Sequence, residues 1–287
     1  MEVRKIAVLG AGLMGHGITQ VAAQVGKYEV TMRDIEQKFV DNGMNMIRGS
    51  LQKFLSKGKI TEAQMNEILA RIQPTLDLKE AVSEADLIIE AAPENVELKK
   101  AIFREVDTYA PSHAIIASNT SSVSITELAS ATKRSEKVCG MHFFNPPQLM
   151  NLIEIIKGAK TSDETIQTIQ QVAQKLEKET VLVKKDSPGF IVNRILIPAL
   201  NEAVALHWEG VADRDDIDKA VKLGLNWPMG PLMLLDYIGA DTTLAIAEVL
   251  EKELDPKFHA SPGLKQMVKA QILGRKTGKG FYDWTQK

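Results

Sequence analysis

Residues 3–34 read VRKIAVLGAGLMGHGITQVAAQVGKYEVTMRD, and the order of their apolar and glycine positions decides the fold. The apolar run at residues 3–9 predicts a buried parallel strand, and the pattern of residues 18–25 predicts a helix. A second strand is predicted at residues 28–34. Three glycines separate the first strand from the helix: Gly10, Gly12 and Gly15. This stretch therefore predicts a strand–helix–strand unit with a glycine-rich turn.

The glycine turn predicts a dinucleotide-binding site. Gly10 allows a tight turn, Gly12 lets backbone N–H groups approach a pyrophosphate, and Gly15 lets the helix pack closely on the sheet. Asp34 ends the second strand, where an acid can bond the ribose hydroxyls. The glycine pattern alone is weak, but with its flanking strands, helix and acid it predicts a Rossmann-type doubly wound α/β fold. Asp34 favours NAD over NADP, because a second phosphate would meet its charge, although the neighbouring Arg33 leaves that preference open.

Four further apolar runs predict the rest of a parallel sheet: residues 86–92, 114–118, 138–141 and 180–184. In an open parallel sheet, ligands bind beyond the carboxyl ends of the strands. We therefore predict that one crevice collects the polar side chains that follow the strands: Asp34, Glu94, Asn119, Ser121 and His142. Taken singly, Asn119 also fits a turn residue and Ser121 a helix cap.

His142 and Glu154 stand where a purely structural role is unfavourable. His142 closes the apolar run at residues 138–141 and is soon followed by two prolines, so we place it at or just past a strand's end. Glu154 stands alone in the run LIEII, where an unpaired carboxylate is costly to bury. A carboxylate on one imidazole nitrogen fixes the tautomer and leaves the other nitrogen as a base. We hypothesise that the two residues form a catalytic dyad.

Residues 36–72 have the pattern of a helical segment with one polar side. Its polar residues Ser50, Lys53 and Lys57 have two interpretations. The simpler one is a solvated helix face, which the residue types alone favour. The functional one is a clamp for the phosphates of an anionic ligand.

The pattern changes at Asp186-Ser187-Pro188-Gly189, where we place a domain boundary. Residues 1–186 form the predicted dinucleotide-binding domain, and residues 187–287 form a predicted all-α domain. Its helices are expected at 189–208, 213–223, 230–239, 241–253 and 262–273. The first of them is apolar and should pack against another helix or another subunit.

Composition and charge exclude several other classes of protein. A chain with 44% hydrophobic and 25% charged residues has the composition of a soluble globular protein. The formal net charge of −2 gives no sign of a nucleic-acid partner. The single cysteine, Cys139, cannot form an internal disulfide and lies in an apolar run, which favours a reducing compartment. Neither a signal segment nor a membrane-spanning run is visible, so we expect no membrane association and a cytoplasmic location.

Six motifs together resemble the L-3-hydroxyacyl-CoA dehydrogenases, and are most similar to the short bacterial 3-hydroxybutyryl-CoA dehydrogenases. They are GAGLMG at 10–15, ASNTSS at 117–122, MHFFNPP at 141–147, LIEIIKG at 152–158, DSPGFIVNR at 186–194 and GLNWPMGPLMLLDYIGAD at 224–241. The match covers essentially the whole chain. The specific motifs are HFFNPP followed by LIEIIKG, and GFIVNR, whereas GAGLMG alone would not be specific.

The resemblance implies roles for individual residues. The catalytic histidine and glutamate of the family fall on His142 and Glu154, and its substrate-contacting serine and asparagine fall on Ser121 and Asn193. The cofactor implied is NAD, held by Gly10, Gly12, Leu13, Met14, Gly15, Asp34, Glu94, Lys99, Asn119, Ser121, Asn145 and Lys276. Coenzyme A would contact Ser50 and Lys57, with Lys53 nearby, which turns the interpretation of these residues towards a phosphate clamp. No metal site is predicted.

The resemblance also implies a reaction, the reversible NAD-linked oxidation of an (S)-3-hydroxyacyl-CoA to the 3-ketoacyl-CoA. His142 would be the general base, and Glu154 would orient it. A homodimer through the C-terminal helical domain is implied as well, and Asn193 would place the substrate cleft between the two domains. Two alternatives stay open. One is a dehydrogenase of the same fold that acts on a free hydroxy acid or sugar acid, and the other is a non-catalytic, NAD-binding structural protein.

Overall fold

The structure, a computed structural model, describes residues 2–285. Internal contacts divide the chain into two compact units after Ser187, one residue beyond the boundary predicted from the sequence. Met1, Gln286 and Lys287 belong to the predicted domains but lie outside the described residues. Within residues 2–285, no helix is both long and apolar enough to cross a membrane.

The N-terminal unit is built on one eight-stranded sheet. Its strands are β1 (Lys5–Leu9), β2 (Glu29–Arg33), β3 (Ile72–Thr75), β4 (Leu87–Glu90), β5 (Ile115–Ser118), β6 (Val138–Phe143), β7 (Leu152–Ile156) and β8 (Glu179–Val183). They lie in the order β3-β2-β1-β4-β5-β6-β7-β8, and only the β6–β7 pair is antiparallel. The order reverses between β1 and β4, which is the switch point of a doubly wound sheet. The predicted Rossmann-type fold is confirmed.

Helices flank this sheet, and the first three and the last of them contribute residues to one apolar core with it. They are α1 (Gly15–Gln24), α2 (Gln37–Ser56), α3 (Glu62–Ala70), α4 (Leu78–Val82), α5 (Val96–Tyr109), α6 (Ile125–Ala129) and α7 (Asp163–Lys175). Cys139 is fully buried, and burial raises the pKa of its thiol to about 12, so it is an inert core residue as predicted.

The prediction of one helical segment over residues 36–72 was wrong. Helix α2 ends at Ser56, and α3 begins after Thr61, whose side chain and that of Gln64 form a capping box. The strand β3 follows and was missed, because its sequence IQPT lacks an apolar pattern and contains Pro74. Proline is tolerated there because β3 is at the edge of the sheet, where one side of the strand needs no partner.

The position of His142 also needs a correction. We expected it at or past the end of a strand, but it lies inside β6, which continues to Phe143. The strand runs on because β7 pairs with it up to this point, so the backbone of His142 is in the sheet. The two prolines that suggested an earlier end come only after Asn145.

Asp186, next to the end of the N-terminal unit, anchors that end to helix α6. Its Oδ2 accepts hydrogen bonds from the Ser124 hydroxyl at 2.7 Å and from the Thr126 N–H at 2.8 Å. Ser124 in turn caps α6 by accepting the Glu127 N–H. The carboxylate therefore satisfies a helix N-terminus while it holds the last residues of the unit in place.

The C-terminal unit is helical, as predicted. Its helices are α8 (Val192–Trp208), α9 (Arg214–Gly224), α10 (Pro231–Ile238), α11 (Ala240–Glu253) and α12 (Pro262–Lys269), and short 3₁₀ turns occupy Pro256–Phe258 and Arg275–Thr277. Apolar side chains of these helices form a separate core around Leu200, Leu235 and Leu250.

Asp236 on α10 fixes the C-terminal tail that carries Lys276. Its two carboxylate oxygens accept the backbone N–H groups of Phe281 and Tyr282 and the indole N–H of Trp284, at 2.8–2.9 Å. The residue is 1% exposed. A buried carboxylate is stable only with such partners, so the tail and α10 depend on each other.

Replacing Asp236 with alanine should unfold the tail. Three donors would lose a charged acceptor, so we expect the free energy of unfolding to fall by about 3 kcal/mol. All three tryptophans, Trp208, Trp227 and Trp284, lie in the C-terminal unit, so urea unfolding followed by tryptophan fluorescence reports on it. The exposed Asp283 is the matched control, and its replacement should change stability by less than about 0.5 kcal/mol. Equal effects of the two substitutions would contradict the role of Asp236 in holding the tail.

Candidate functional site

His142 and Glu154 are direct cross-strand partners in the antiparallel pair of β6 and β7. Nδ1 of His142 lies 2.8 Å from Oε2 of Glu154. The exposed fractions of the two side chains are 7% and 0%. Opposed residues on neighbouring strands have Cβ atoms about 5 Å apart, so the strand register itself brings the two groups together. The contact that the sequence suggested is therefore present.

The alternation of side chains along the strands keeps this pair out of the apolar core. The neighbouring residues point into that core: Met141, Phe143, Ile153 and Ile155. His142 and Glu154 therefore share the opposite face of the sheet. The ring of Phe144 packs against the imidazole with 4.6 Å between the ring centroids. A carboxylate at Nδ1 favours the tautomer with its proton there and makes Nε2 the basic nitrogen.

Glu94 and Ser121 are joined at the ends of the central strands. Oε1 of Glu94 accepts the Ser121 N–H at 2.6 Å, the Ser121 hydroxyl at 2.9 Å and the Thr120 hydroxyl at 2.8 Å. Desolvation raises the pKa of Glu94, but the Lys99 ammonium and these hydrogen bonds outweigh it and hold the pKa below its ordinary value. The simpler interpretation of Ser121 as a helix cap is wrong, because Ser124 caps α6.

Asn119 connects the end of β5 to β6 next to His142. Its Oδ1 accepts the backbone N–H of Phe143, the residue after His142, at 2.9 Å. The Asn119 N–H itself donates to the Glu90 carbonyl oxygen at 2.8 Å. Asn119 therefore fixes the end of β6 relative to β4 and β5, and its amide NH₂ group is the part of the side chain suited to donate to a ligand.

The three glycines of the turn are required for different reasons. A Cβ on Gly10, whose φ is +115°, would lie 2.5 Å from the Ala91 carbonyl oxygen, and one on Gly15 would lie 1.7 Å from that of Gly10. These two glycines are demanded by the protein itself. A Cβ on Gly12 would meet no protein atom within 4 Å. Its side faces open space at a helix N-terminus, which fits the close approach of a dinucleotide pyrophosphate.

Two side chains hold the glycine turn from within. Oδ2 of Asp34 accepts the Ala11 N–H at 2.7 Å, so this predicted ribose-binding acid also supports the turn. Nδ1 of His16 lies 2.8 Å from the Gly12 carbonyl oxygen. Burial lowers the pKa of His16, and the bond to Gly12 only partly opposes this, so the neutral imidazole donates to the carbonyl.

The remaining predicted site residues, cofactor contacts and the substrate-contacting Asn193, divide between the two units. In the N-terminal unit, Leu13 and Asn145 are exposed, and Met14 packs against the core. In the C-terminal unit, Asn193 is buried in the first turn of α8, and Lys276 pairs with Asp241. Contact of Asn193 with the substrate and of Lys276 with the cofactor stays a prediction.

The three predicted coenzyme A contacts lie at the C-terminal end of α2: Ser50 and Lys53 in the helix, and Lys57 as the residue that follows it. Ser50 is half-buried, and Lys53 and Lys57 are exposed on positions three and seven residues further along, which is one face of a helix. Within residues 2–285, no carboxylate lies within ion-pairing distance of either lysine. Exposed ammonium groups on one side are able to bind phosphates, so contact of these residues with coenzyme A stays a prediction.

Sequence reasoning missed Glu90 and His16. Glu90 ends β4 in the run DLIIE and is fully buried, with Lys99 as its ion-pair partner. The signal that singled out Glu154, a lone acid within an apolar run, was present here too, because Glu90 stands between Ile89 and Ala91. His16 gave a weaker signal, because a histidine after the glycine turn has no fixed role in the dinucleotide fingerprint.

Comparison with protein-family models gives two matches that together span nearly the whole chain. Residues 5–187 match the 3-hydroxyacyl-CoA dehydrogenase, NAD binding domain. Residues 189–284 match the 3-hydroxyacyl-CoA dehydrogenase, C-terminal domain. The division between the two models agrees with the division of the structure into two units.

Individual relatives match over their full lengths. A probable 3-hydroxybutyryl-CoA dehydrogenase of Deinococcus radiodurans is 49% identical over 98% of this chain and 100% of its own. A probable 3-hydroxybutyryl-CoA dehydrogenase of Bacillus subtilis is 46% identical over 100% and 99%. The crystal structure of (S)-3-hydroxybutyryl-CoA dehydrogenase from Ralstonia eutropha is 44% identical and superposes with a TM-score of 0.93, over 99% of this chain and 100% of that one.

The different demands on the glycines give a test of the turn. Gly12→Ala should fold normally, because its Cβ meets open space, but should weaken NADH binding about tenfold or more, because the Cβ would occupy the approach of the pyrophosphate. NADH fluorescence titration measures the dissociation constant, and the melting temperature checks folding. Gly15→Ala is the matched comparison and should lower the melting temperature. Normal NADH binding by Gly12→Ala would contradict the hypothesis that the glycine turn binds the pyrophosphate.

Proposed function

This chain belongs to the 3-hydroxyacyl-CoA dehydrogenase family, and we propose that it catalyses the reversible NAD-dependent oxidation of an (S)-3-hydroxyacyl-CoA to the 3-ketoacyl-CoA. The substrate proposed is of short chain, such as 3-hydroxybutyryl-CoA. The observation that carries the proposal is the buried 2.8 Å contact between His142 and Glu154 in a unit that matches an NAD-binding domain.

His142 is proposed as the general base. With Nδ1 held by Glu154, the imidazole takes the proton of the 3-hydroxyl group at Nε2, and the Glu154 carboxylate stabilises the imidazolium that results. In the reverse direction the imidazolium returns the proton to the ketone oxygen. NAD, when bound, supplies the acceptor for the hydride that leaves C3. Proton transfer of this kind contributes on the order of a hundred- to ten-thousandfold in rate.

The other roles follow from placement and resemblance. Ser121 and Asn193 are proposed to hold the substrate oxygen by hydrogen bonds. The glycine turn and Asp34 are proposed to hold the pyrophosphate and the ribose of the cofactor. The remaining proposed cofactor contacts are Leu13, Met14, Glu94, Lys99, Asn119, Asn145 and Lys276. Ser50, Lys53 and Lys57 are proposed to bind the phosphates of coenzyme A, which distinguishes this function from oxidation of a free hydroxy acid.

A homodimer through the C-terminal unit and a cytoplasmic location complete the proposal. Large apolar side chains of this unit are exposed on the single chain: Ile195, Trp208, Val211, Leu223 and Leu225. Exposed apolar side chains of this size support the proposal of a subunit interface in this unit. Sedimentation of the purified protein measures the oligomeric state.

An asparagine at position 142 tests the base. Its amide nitrogen stands where Nδ1 stands, so His142→Asn keeps a donor for Glu154 but has no basic nitrogen. We expect kcat with acetoacetyl-CoA and NADH to fall roughly a hundredfold or more, with NADH affinity nearly unchanged. Wild-type turnover in this variant would exclude His142 as the base. Acetoacetate is the control substrate, and equal turnover of it by the wild type would favour a dehydrogenase of free acids.

Lys57→Ala tests the coenzyme A clamp. Loss of one ammonium–phosphate contact of roughly 1 kcal/mol should raise KM for acetoacetyl-CoA about fivefold and leave kcat unchanged. KM for the acetoacetyl thioester of N-acetylcysteamine, which lacks the nucleotide, should not change. Lys160→Ala, which removes one charge from the exposed loop after β7, is the matched control. A similar rise in KM for both thioesters would contradict the phosphate contact and support the interpretation of Lys57 as part of a solvated surface.

A further inference from the structure

Two carboxylates share one buried ammonium at the end of the central strand β4. Nζ of Lys99 lies 2.7 Å from Oε1 of Glu90 and 3.2 Å from Oε2 of Glu94. The side chains of Lys99 and Glu90 are 1% and 0% exposed, whereas that of Glu94 is 39% exposed. Lys99 therefore connects a carboxylate inside the protein to one at its surface.

Glu90 is fully engaged on the buried side. Its Oε1 also accepts the Ala92 N–H at 2.7 Å, and its Oε2 accepts the Ser118 hydroxyl at 2.5 Å. Nζ of Lys99 donates a further bond to the Ala92 carbonyl oxygen at 3.1 Å. The bonds to Glu90 hold its carboxylate between β4 and β5, and the ammonium of Lys99 is in turn held by Glu90 and by the turn after β4.

The exposed side of the group ends on Ser121. Glu94 approaches Lys99 with Oε2 and receives both the N–H and the hydroxyl of Ser121 on Oε1. A continuous series of polar contacts thus runs from Ser118 through Glu90, Lys99 and Glu94 to Ser121. The first part of it is closed to solvent, which strengthens each contact.

We propose that Glu90 is a positioning residue: through the buried ammonium of Lys99 it sets the orientation of Glu94 and of the Ser121 hydroxyl. The inference rests on the proposed function for the role of Ser121 and Glu94. In this arrangement Lys99, besides its proposed contact with the cofactor, also acts on the site through the two carboxylates. Without the Glu90 charge, the ammonium would have Glu94 as its only carboxylate, and the two would pull together at the expense of the bonds to Ser121.

Glu90→Gln is the central test, because glutamine keeps the shape of the side chain and removes its charge. We expect kcat with acetoacetyl-CoA to fall about tenfold and the dissociation constant of NADH to rise about threefold or more. KM for acetoacetyl-CoA should stay within about twofold, because the residues proposed to bind coenzyme A lie on α2. Wild-type kcat and NADH affinity in this variant would overturn the proposal.

A double substitution separates positioning from stability. Glu90→Leu and Lys99→Met each leave one buried charge without its partner and should lower the melting temperature. The double variant removes both charges and should recover much of that loss, but its NADH affinity and kcat should stay reduced. Recovery of all three quantities would make the ion pair purely structural. If the single variants do not fold, the NADH affinity and kcat of the double variant and of Glu90→Gln still distinguish a positioning role of Glu90 from a purely structural one.

Asp107→Asn is the matched control. Asp107 lies on α5, the helix that also carries Lys99. Asp107 forms a half-buried ion pair with Arg134 at 2.6 Å, so its loss should lower the melting temperature without changing the dissociation constant of NADH. A parallel change in Asp107→Asn and Glu90→Gln would indicate general destabilisation and overturn the proposal. Turnover of acetoacetyl-CoA by the wild type tests the proposed function separately, since the NADH titrations do not depend on the substrate.

Discussion

The antiparallel pairing of β6 and β7 is the constraint on which the proposed chemistry depends. If β7 ran parallel to β6, the chain would have to return to the opposite edge of the sheet before β7 could begin. The short segment between His142 and Glu154 could not make that return, so the two residues would not lie side by side. Reversal of direction at this one place sets the two residues opposite each other. The fixed two-residue period of a strand then keeps both on the face away from the apolar core. A one-residue slip of β7 would put an isoleucine opposite the imidazole.

Buried carboxylates at two places in the candidate site are stabilised in the same way. Glu154 and Glu90 are completely buried carboxylates, and each lies beside a group that is cationic when protonated. Burial of an acid is unfavourable without such a partner, and the attraction between partners grows as water is excluded. The N-terminal unit thus sets two acids in its sheet and lets each of them orient a second residue. The glycine turn is the third element of the candidate site. Its backbone is so closely packed that there is no room for a Cβ at Gly10 or Gly15.

Much of this arrangement could be predicted from the sequence, because the signals were local. The strand–helix–strand stretch at residues 3–34 predicted the doubly wound sheet, and residues 189–273 predicted the helical unit. The edge strand β3 was missed, since a short polar strand containing Pro74 has no apolar period. The extent of β6 was missed, because it depends on pairing with β7 and not on the residues of β6. Glu90 was missed for another reason: its partner Lys99 lies on a helix, and no sequence period relates the two.

The bonds of Asp186 to helix α6 have a consequence for how the chain can be divided. Asp186 lies just before the division between the units, and its partners Ser124 and Thr126 belong to the N-terminal unit. A polypeptide stopped after Ser187 would keep all eight strands and this helix cap. A polypeptide stopped one residue before Asp186 would keep the same strands and the Ser124 cap, but the Thr126 N–H and the Ser124 hydroxyl would lose this acceptor. The contacts of the N-terminal unit therefore extend to a carboxylate that lies beyond its last strand.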